Sequence, residues 1–123
     1  MSQVLVDTSV WIRHFKTSDV SLCELLDSGR VVTHEFVIEE LALGGITERD
    51  RHYHLLCLLQ RYSKVSHAEV LEFIQKQARK KRFRVGLVDS YLLCSALVDN
   101  LLIYSDDSGL RRAAGSLGVS YSI

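Results

Sequence analysis

Four carboxylates in this 123-residue chain stand where acids are expensive, and they define the chemistry the sequence offers. Asp7 follows the apolar run Val4-Leu5-Val6, and Asp106-Asp107 follow a second such run, Leu101 to Tyr104. Glu40 lies in the segment from Glu35 to Leu43. At about 100° per helical residue it projects between Phe36 and Val37, whereas Glu39 falls beside Glu35 on a polar edge. The same geometry places Asp89 among Leu92, Leu93 and Ala96. An acid among apolar neighbours has to be paired, hydrogen-bonded or bound to a cation. A position near a helix N-terminus offsets only about 0.3–1 kcal/mol of that cost.

Singly, each acid has a plainer role. Asp7 suits the turn before Thr8, Asp89 suits a helix cap, and Asp106 or Asp107 suits a cap on the last helix. Glu40 has the weakest alternative of this kind, because an acid in mid-helix on an apolar face seldom lacks a partner. Together they point elsewhere. Four converging carboxylates repel each other unless a cation neutralises them, and an all-oxygen set favours magnesium or manganese over zinc. The histidines do not alter this: His52 and His54 lie two apart on an expected helix and face different ways. No Ser-His-Asp or Cys-His arrangement emerges from the spacing.

The elements that must position these acids alternate. Strands are expected at 4–6, 30–33, 101–104 and, very short, at 64–65, with a possible edge strand at 119–121. Helices are expected after a cap at Thr8 or Ser9, over 21–28 with Gly29 as stop, 35–43 before Gly44-Gly45, 48–60, 68–81, 86 or 88 to 98, and 110–117. Short continuous apolar strands between helices indicate an α/β fold, a parallel sheet covered on both faces. In open sheets of this kind the functional crevice lies beyond the strands' C-terminal ends, where Asp7 and Asp106-Asp107 fall.

Length and an apolar share of 47% fit one domain spanning residues 1–123. Proline is absent and the seven glycines are scattered, which excludes a flexible linker. Cys23, Cys57 and Cys94 lie far apart among leucines, so they read as buried apolar side chains in a reducing compartment rather than a disulfide frame. No apolar run reaches the roughly 18 residues of a membrane span, and a cytoplasmic location with no membrane partner is expected. Fifteen basic residues balance fifteen acidic ones, yet Lys76, Arg79, Lys80, Lys81, Arg82 and Arg84 crowd into nine positions. Such a run suits a nucleic-acid backbone, although basic residues also favour helix C-termini.

At these residues the sequence resembles the PIN-domain family and, within it, the VapC-type toxins of toxin–antitoxin pairs. The matching segments are 4–12 (VLVDTSVWI), 36–44 (FVIEELALG), 86–93 (GLVDSYLL) and 104–107 (YSDD), in family order across nearly the whole chain. The resemblance implies a PIN-like (Rossmann-like) three-layer fold and a ribonuclease that hydrolyses RNA phosphodiester bonds with Mg²⁺ or Mn²⁺. Asp7, Glu40, Asp89 and Asp107 would be the catalytic metal ligands, with Ser9 hydrogen-bonding within the site. Asp107 is preferred to Asp106 because the family aspartate follows Ser or Thr after one intervening residue. A homodimer, a structured RNA substrate such as a tRNA or rRNA loop, and a cognate antitoxin are implied as partners. Two rivals stand beside this reading: an inert PIN-like protein-binding module, and a receiver-like phosphotransfer domain. The receiver would need a phosphoacceptor aspartate ending a strand near mid-chain, where the leucine-rich stretch 51–60 lies.

Overall fold

The computed structural model describes residues 1–62, 64–80 and 84–122. Three strands, β1 (Val4–Val6), β2 (Val31–Thr33) and β4 (Leu102–Tyr104), are short apolar runs, buried throughout except for the half-buried Leu102. Each fully buried Val or Leu contributes roughly 1.5–3 kcal/mol, which is why strands of only three residues hold. A fourth strand, β3 (Gln60–Arg61), completes an all-parallel sheet in the order β3-β2-β1-β4. The very short strand expected at 64–65 is therefore displaced to 60–61. Both of its residues are exposed, so no apolar pattern marked it. Val119 to Tyr121 forms a single bridge beside Ile103 rather than a full edge strand.

Helices join and cover the strands: α1 (Thr8–Lys16), α2 (Val20–Asp27), α3 (Glu35–Leu43), α4 (Arg51–Leu58), α5 (His67–Lys80), α6 (Leu87–Asp99) and α7 (Ser108–Ser116). The cap of α1 is Asp7 itself rather than Thr8 or Ser9, and its side chain makes no capping bond. Asp19 caps α2, accepting from the Leu22 amide at 2.9 Å. The chain leaves α2 through Gly29 at φ +68°, a left-handed conformation that glycine adopts without steric cost. Helix α4 is shorter than the 48–60 expected, because the chain straightens at Leu59 to pair with β2.

The core joins both faces of the sheet to Trp11, Leu22, Leu56, Leu92, Leu93 and Leu110, all fully buried. Of the cysteines only Cys94 is buried; Cys57 is exposed and Cys23 half-buried, which corrects the expectation for those two. Because all strands run the same way, their C-terminal ends share one edge. Asp7, His34 and Ser105 are the residues that immediately follow β1, β2 and β4 there.

Candidate active site

Asp7 is nearly buried at 6% exposure, and two hydroxyls hold it. Ser9 Oγ and Ser105 Oγ each donate to its Oδ2 at 2.8 Å. Ser9 Oγ in turn accepts from the Asp106 amide at 3.0 Å, tying the start of α1 to the loop after β4. Ser105 Oγ accepts from the Asp107 amide at the same distance, so the loop turns around two serines. Strand pairing makes this possible: Val6 lies opposite Tyr104, bringing residues almost a hundred positions apart into contact.

Glu40 is half-buried on α3, which packs against α1, and its Oε1 accepts from Thr8 Oγ1 at 2.8 Å. Glu39 is exposed, as its projection required. Asp107 caps α7, its Oδ2 accepting from the Leu110 amide at 2.8 Å. Its neighbour Asp106 is engaged differently. Arg13 Nε and Nη2 donate to the two Asp106 oxygens at 2.6 and 3.0 Å, and Nη1 donates to Asp19 at 2.6 Å. Tyr104 donates to the other Asp19 oxygen at 2.7 Å. Burial alone would raise the Asp19 pKa, but these bonds from Arg13, Tyr104 and the Leu22 amide hold it below the usual carboxylate value.

Asp89 lies in the first turn of α6, half-buried, and is not the cap; that position is Gly86. Its pKa is pushed up to about 6, first by burial and then by the negative charges of Asp7, Asp107 and Glu40. The structure thus brings Asp7, Glu40, Asp89 and Asp107 into one electrostatic neighbourhood and leaves Glu39 and Asp106 outside it. Among the described residues no three acidic, histidine or cysteine side chains close tightly enough to grip an ion as they stand. Asp89 nonetheless feels the charges of the other three acids. Thr8, expected only as a helix cap, and Ser105, used only to set the register of Asp107, were not expected as residues of the site. A Ser/Thr two residues before Asp107, and another beside Asp7, were the signals available.

Lys76, Arg79, Lys80 and Arg84 are exposed around the end of α5; Lys81 and Arg82 lie outside the described residues. Beside Glu40 an apolar groove of about 570 Å³ runs between α1 and α3, walled by Ile12, Phe15, Leu41 and Ile46.

The PIN domain model matches residues 4–116. The chain is a PIN domain. Ribonuclease VapC32 of Mycobacterium tuberculosis, in strains CDC 1551 and H37Rv, is 42% identical over 118 residues, covering 95% of this PIN domain and 94% of the relative. Two solved structures share the fold at 18% identity. The DNA-bound VapBC complex of Salmonella typhimurium superposes with a TM-score of 0.69, covering 99% of this chain and 98% of that one. FitAcB of Neisseria gonorrhoeae gives 0.63, with 92% and 94% covered. The α/β PIN fold is as expected, and the receiver-like alternative falls. The mid-chain stretch that would have to carry its phosphoacceptor is helix α4.

Proposed function

We propose that this PIN domain is a metal-dependent endoribonuclease, the toxin of a toxin–antitoxin pair. It would hydrolyse RNA phosphodiester bonds at Asp7, Glu40, Asp89 and Asp107. The observation that carries the reading is Asp89, whose pKa is pushed up to about 6, first by burial and then by the charges of the other three acids. Carboxylates from four separate elements facing one another destabilise the fold, and a hard divalent cation is the ligand that reverses this. The relative named as a ribonuclease supports the reaction class.

The donor set, oxygen throughout, fits Mg²⁺ with Mn²⁺ as substitute. A bound ion would supply water activation and neutralisation of charge on the leaving 3′ oxygen, yielding a 5′-phosphate and a 3′-hydroxyl. The chain's own part is positioning. Ser9 and Ser105 both bond to Asp7 Oδ2, which fixes the carboxylate plane and turns Oδ1 to another partner. Thr8 does the same for Glu40, and the α7 cap does so for Asp107. Outer partners of this kind typically matter 10–100-fold in affinity or activity, by about the measure known for metal sites. The exposed Lys76, Arg79, Lys80 and Arg84 would hold RNA phosphates, giving salt-sensitive affinity. Lys81 and Arg82 belong to the same proposal by sequence alone.

An antitoxin is the proposed protein partner, in line with the VapBC complex whose fold this chain shares. The apolar groove ending at Glu40 offers it a route to the acids. Exposed Leu43, Leu58 and Leu87 leave apolar surface for a homodimer. No helix among the described residues is long and apolar enough to cross a membrane, and a cytoplasmic site of action is part of the proposal. The deciding experiment incubates purified protein with total cellular RNA and Mn²⁺ and maps the new 5′ ends. Sharp 5′-phosphorylated ends in one RNA class are expected, and Asp7→Asn should abolish them. Undiminished cleavage by that variant refutes the site. Absence of both cleavage and calorimetric Mn²⁺ binding would leave an inert binding module.

A further inference from the structure

Seven glycines occur in the chain, and at six of them an added side chain would meet nothing within 4 Å, or backbone alone. Gly109 differs. A Cβ built on it would stand 3.3 Å from Asp107 Oδ2, closer than the 3.4–4 Å of ordinary van der Waals contact.

The backbone does not call for glycine at that position. Gly109 lies in the first turn of α7, and the glycines at positive φ are Gly29, Gly45 and Gly118. Glycine is also a poorer helix former than alanine, because it loses more freedom when it is ordered. Position 109 therefore carries a residue that local stability disfavours. What a larger one would disturb is the Asp107 carboxylate.

That carboxylate is drawn over the helix start by its bond to the Leu110 amide at 2.8 Å, made by the same Oδ2 that an added Cβ would crowd. A side chain at 109 forces either the helix or the carboxylate to move. Helix α7 is anchored in the core by Leu110, Ala113 and Ala114, all fully buried, whereas Asp107 is exposed. The carboxylate is thus the part that gives, by a few tenths of an ångström. Magnesium demands near-ideal octahedral geometry with oxygens at about 2.0–2.1 Å, and a shift of that size is large on such a scale.

We propose that Gly109 is a positioning residue of the metal site. Its missing side chain lets Asp107 cap α7 with one oxygen and offer the other to a divalent cation. This rests on the reading of Asp107 as a metal ligand.

The test titrates purified protein with Mg²⁺ by calorimetry, comparing the unaltered chain with Gly109→Ala, Asp107→Asn and the double variant. Gly109→Ala should weaken Mg²⁺ binding by about tenfold, the lower end of what outer partners of metal sites give. Its melting temperature without metal should be equal or higher, since alanine favours the helix. In the Asp107→Asn background the same change should cost no further affinity, because the two residues act through one carboxylate. RNA cleavage by Gly109→Ala should recover when Mg²⁺ is raised about tenfold, to match the lost affinity. A Gly109→Ala protein that binds Mg²⁺ as tightly as the parent overturns the proposal and leaves the four-acid site standing. So does a loss of equal size in both backgrounds, or one accompanied by a lower melting temperature, since either makes Gly109 part of the helix alone. Undiminished Mg²⁺ binding by Asp107→Asn, or none by the unaltered protein, removes the reading of Asp107 and the role of Gly109 with it.

Discussion

Asp106 and Asp107 follow β4 one after the other, yet one is neutralised and the other adds to a concentration of like charge. Asp106 lies in the fork of Arg13, which also grips the capping residue of α2. Asp107 caps α7 and adds its charge to the field that raises the Asp89 pKa. The Arg13 cluster is complementary within itself and holds α1, α2 and the loop after β4 together. The acid cluster is self-repelling, and its hydroxyl partners orient charge without cancelling it. Adjacent residues thus separate a device for stability from a concentration of like charge that lowers it.

The sharpest way to break this contrast is to exchange carboxylate for amide at each position. Asp107→Asn should lower metal-dependent RNA cleavage by about 100-fold or more, beyond what outer partners of metal sites usually give. Asparagine caps helices as well as aspartate does, so the melting temperature should hold. Asp106→Asn should change cleavage by no more than about threefold. Comparable losses in both variants would erase the distinction. Arg13→Ala should cost about 1–2 kcal/mol of stability, since Asp19 and Asp106 lose charge-assisted bonds and the pairs are partly solvated. Chemical denaturation would measure it.

Thr8→Val should weaken Mn²⁺ binding by about tenfold in calorimetry through a loosened Glu40. An unchanged affinity would mean that Glu40 is oriented by its helix alone. The smallest expected effect is thermodynamic. The folded Asp89 pKa of about 6 exceeds its ordinary value of 3.8, so folding favours its protonated form. That stability is fully present below about pH 4 and is lost as pH rises through 6. Metal-free Asp89→Asn should therefore melt higher than the parent at pH 7.5. The gain should be about 1 kcal/mol after allowance for solvent screening, and should vanish toward pH 4. Burial of His34 lowers its pKa and also makes stability pH-dependent, but it is common to both proteins and cancels in the difference.

Much of this was legible from residue order. Helix α3 runs from Glu35 to Leu43 as its apolar spacing and the following Gly44-Gly45 required, and that phase alone separates Glu40 from Glu39. The apolar strands declared themselves by composition. What stayed hidden depends on long-range pairing. β3 consists of two exposed polar residues and exists only because the edge of β2 accepts them. Asp107 was separated from Asp106 only by the family register after Ser105; residue chemistry alone could not do it, because the partner that distinguishes them, Arg13, lies 93 residues away. The roles of Thr8 and Ser105 are invisible for the same reason: hydroxyls are common, and only the fold says which carboxylate they meet.

The pairing of Val6 with Tyr104 has a consequence in time. Synthesis runs from the N-terminus, so the strand carrying Asp7 emerges long before the strand that completes its surroundings. Until β4 has been made, Asp7 lacks Ser105 and the field at Asp89 lacks Asp107. On the proposed reading, the four-acid site is therefore incomplete in a nascent chain until β4 and the loop after it have been made. Any partner that must silence the protein has that interval in which to be present first.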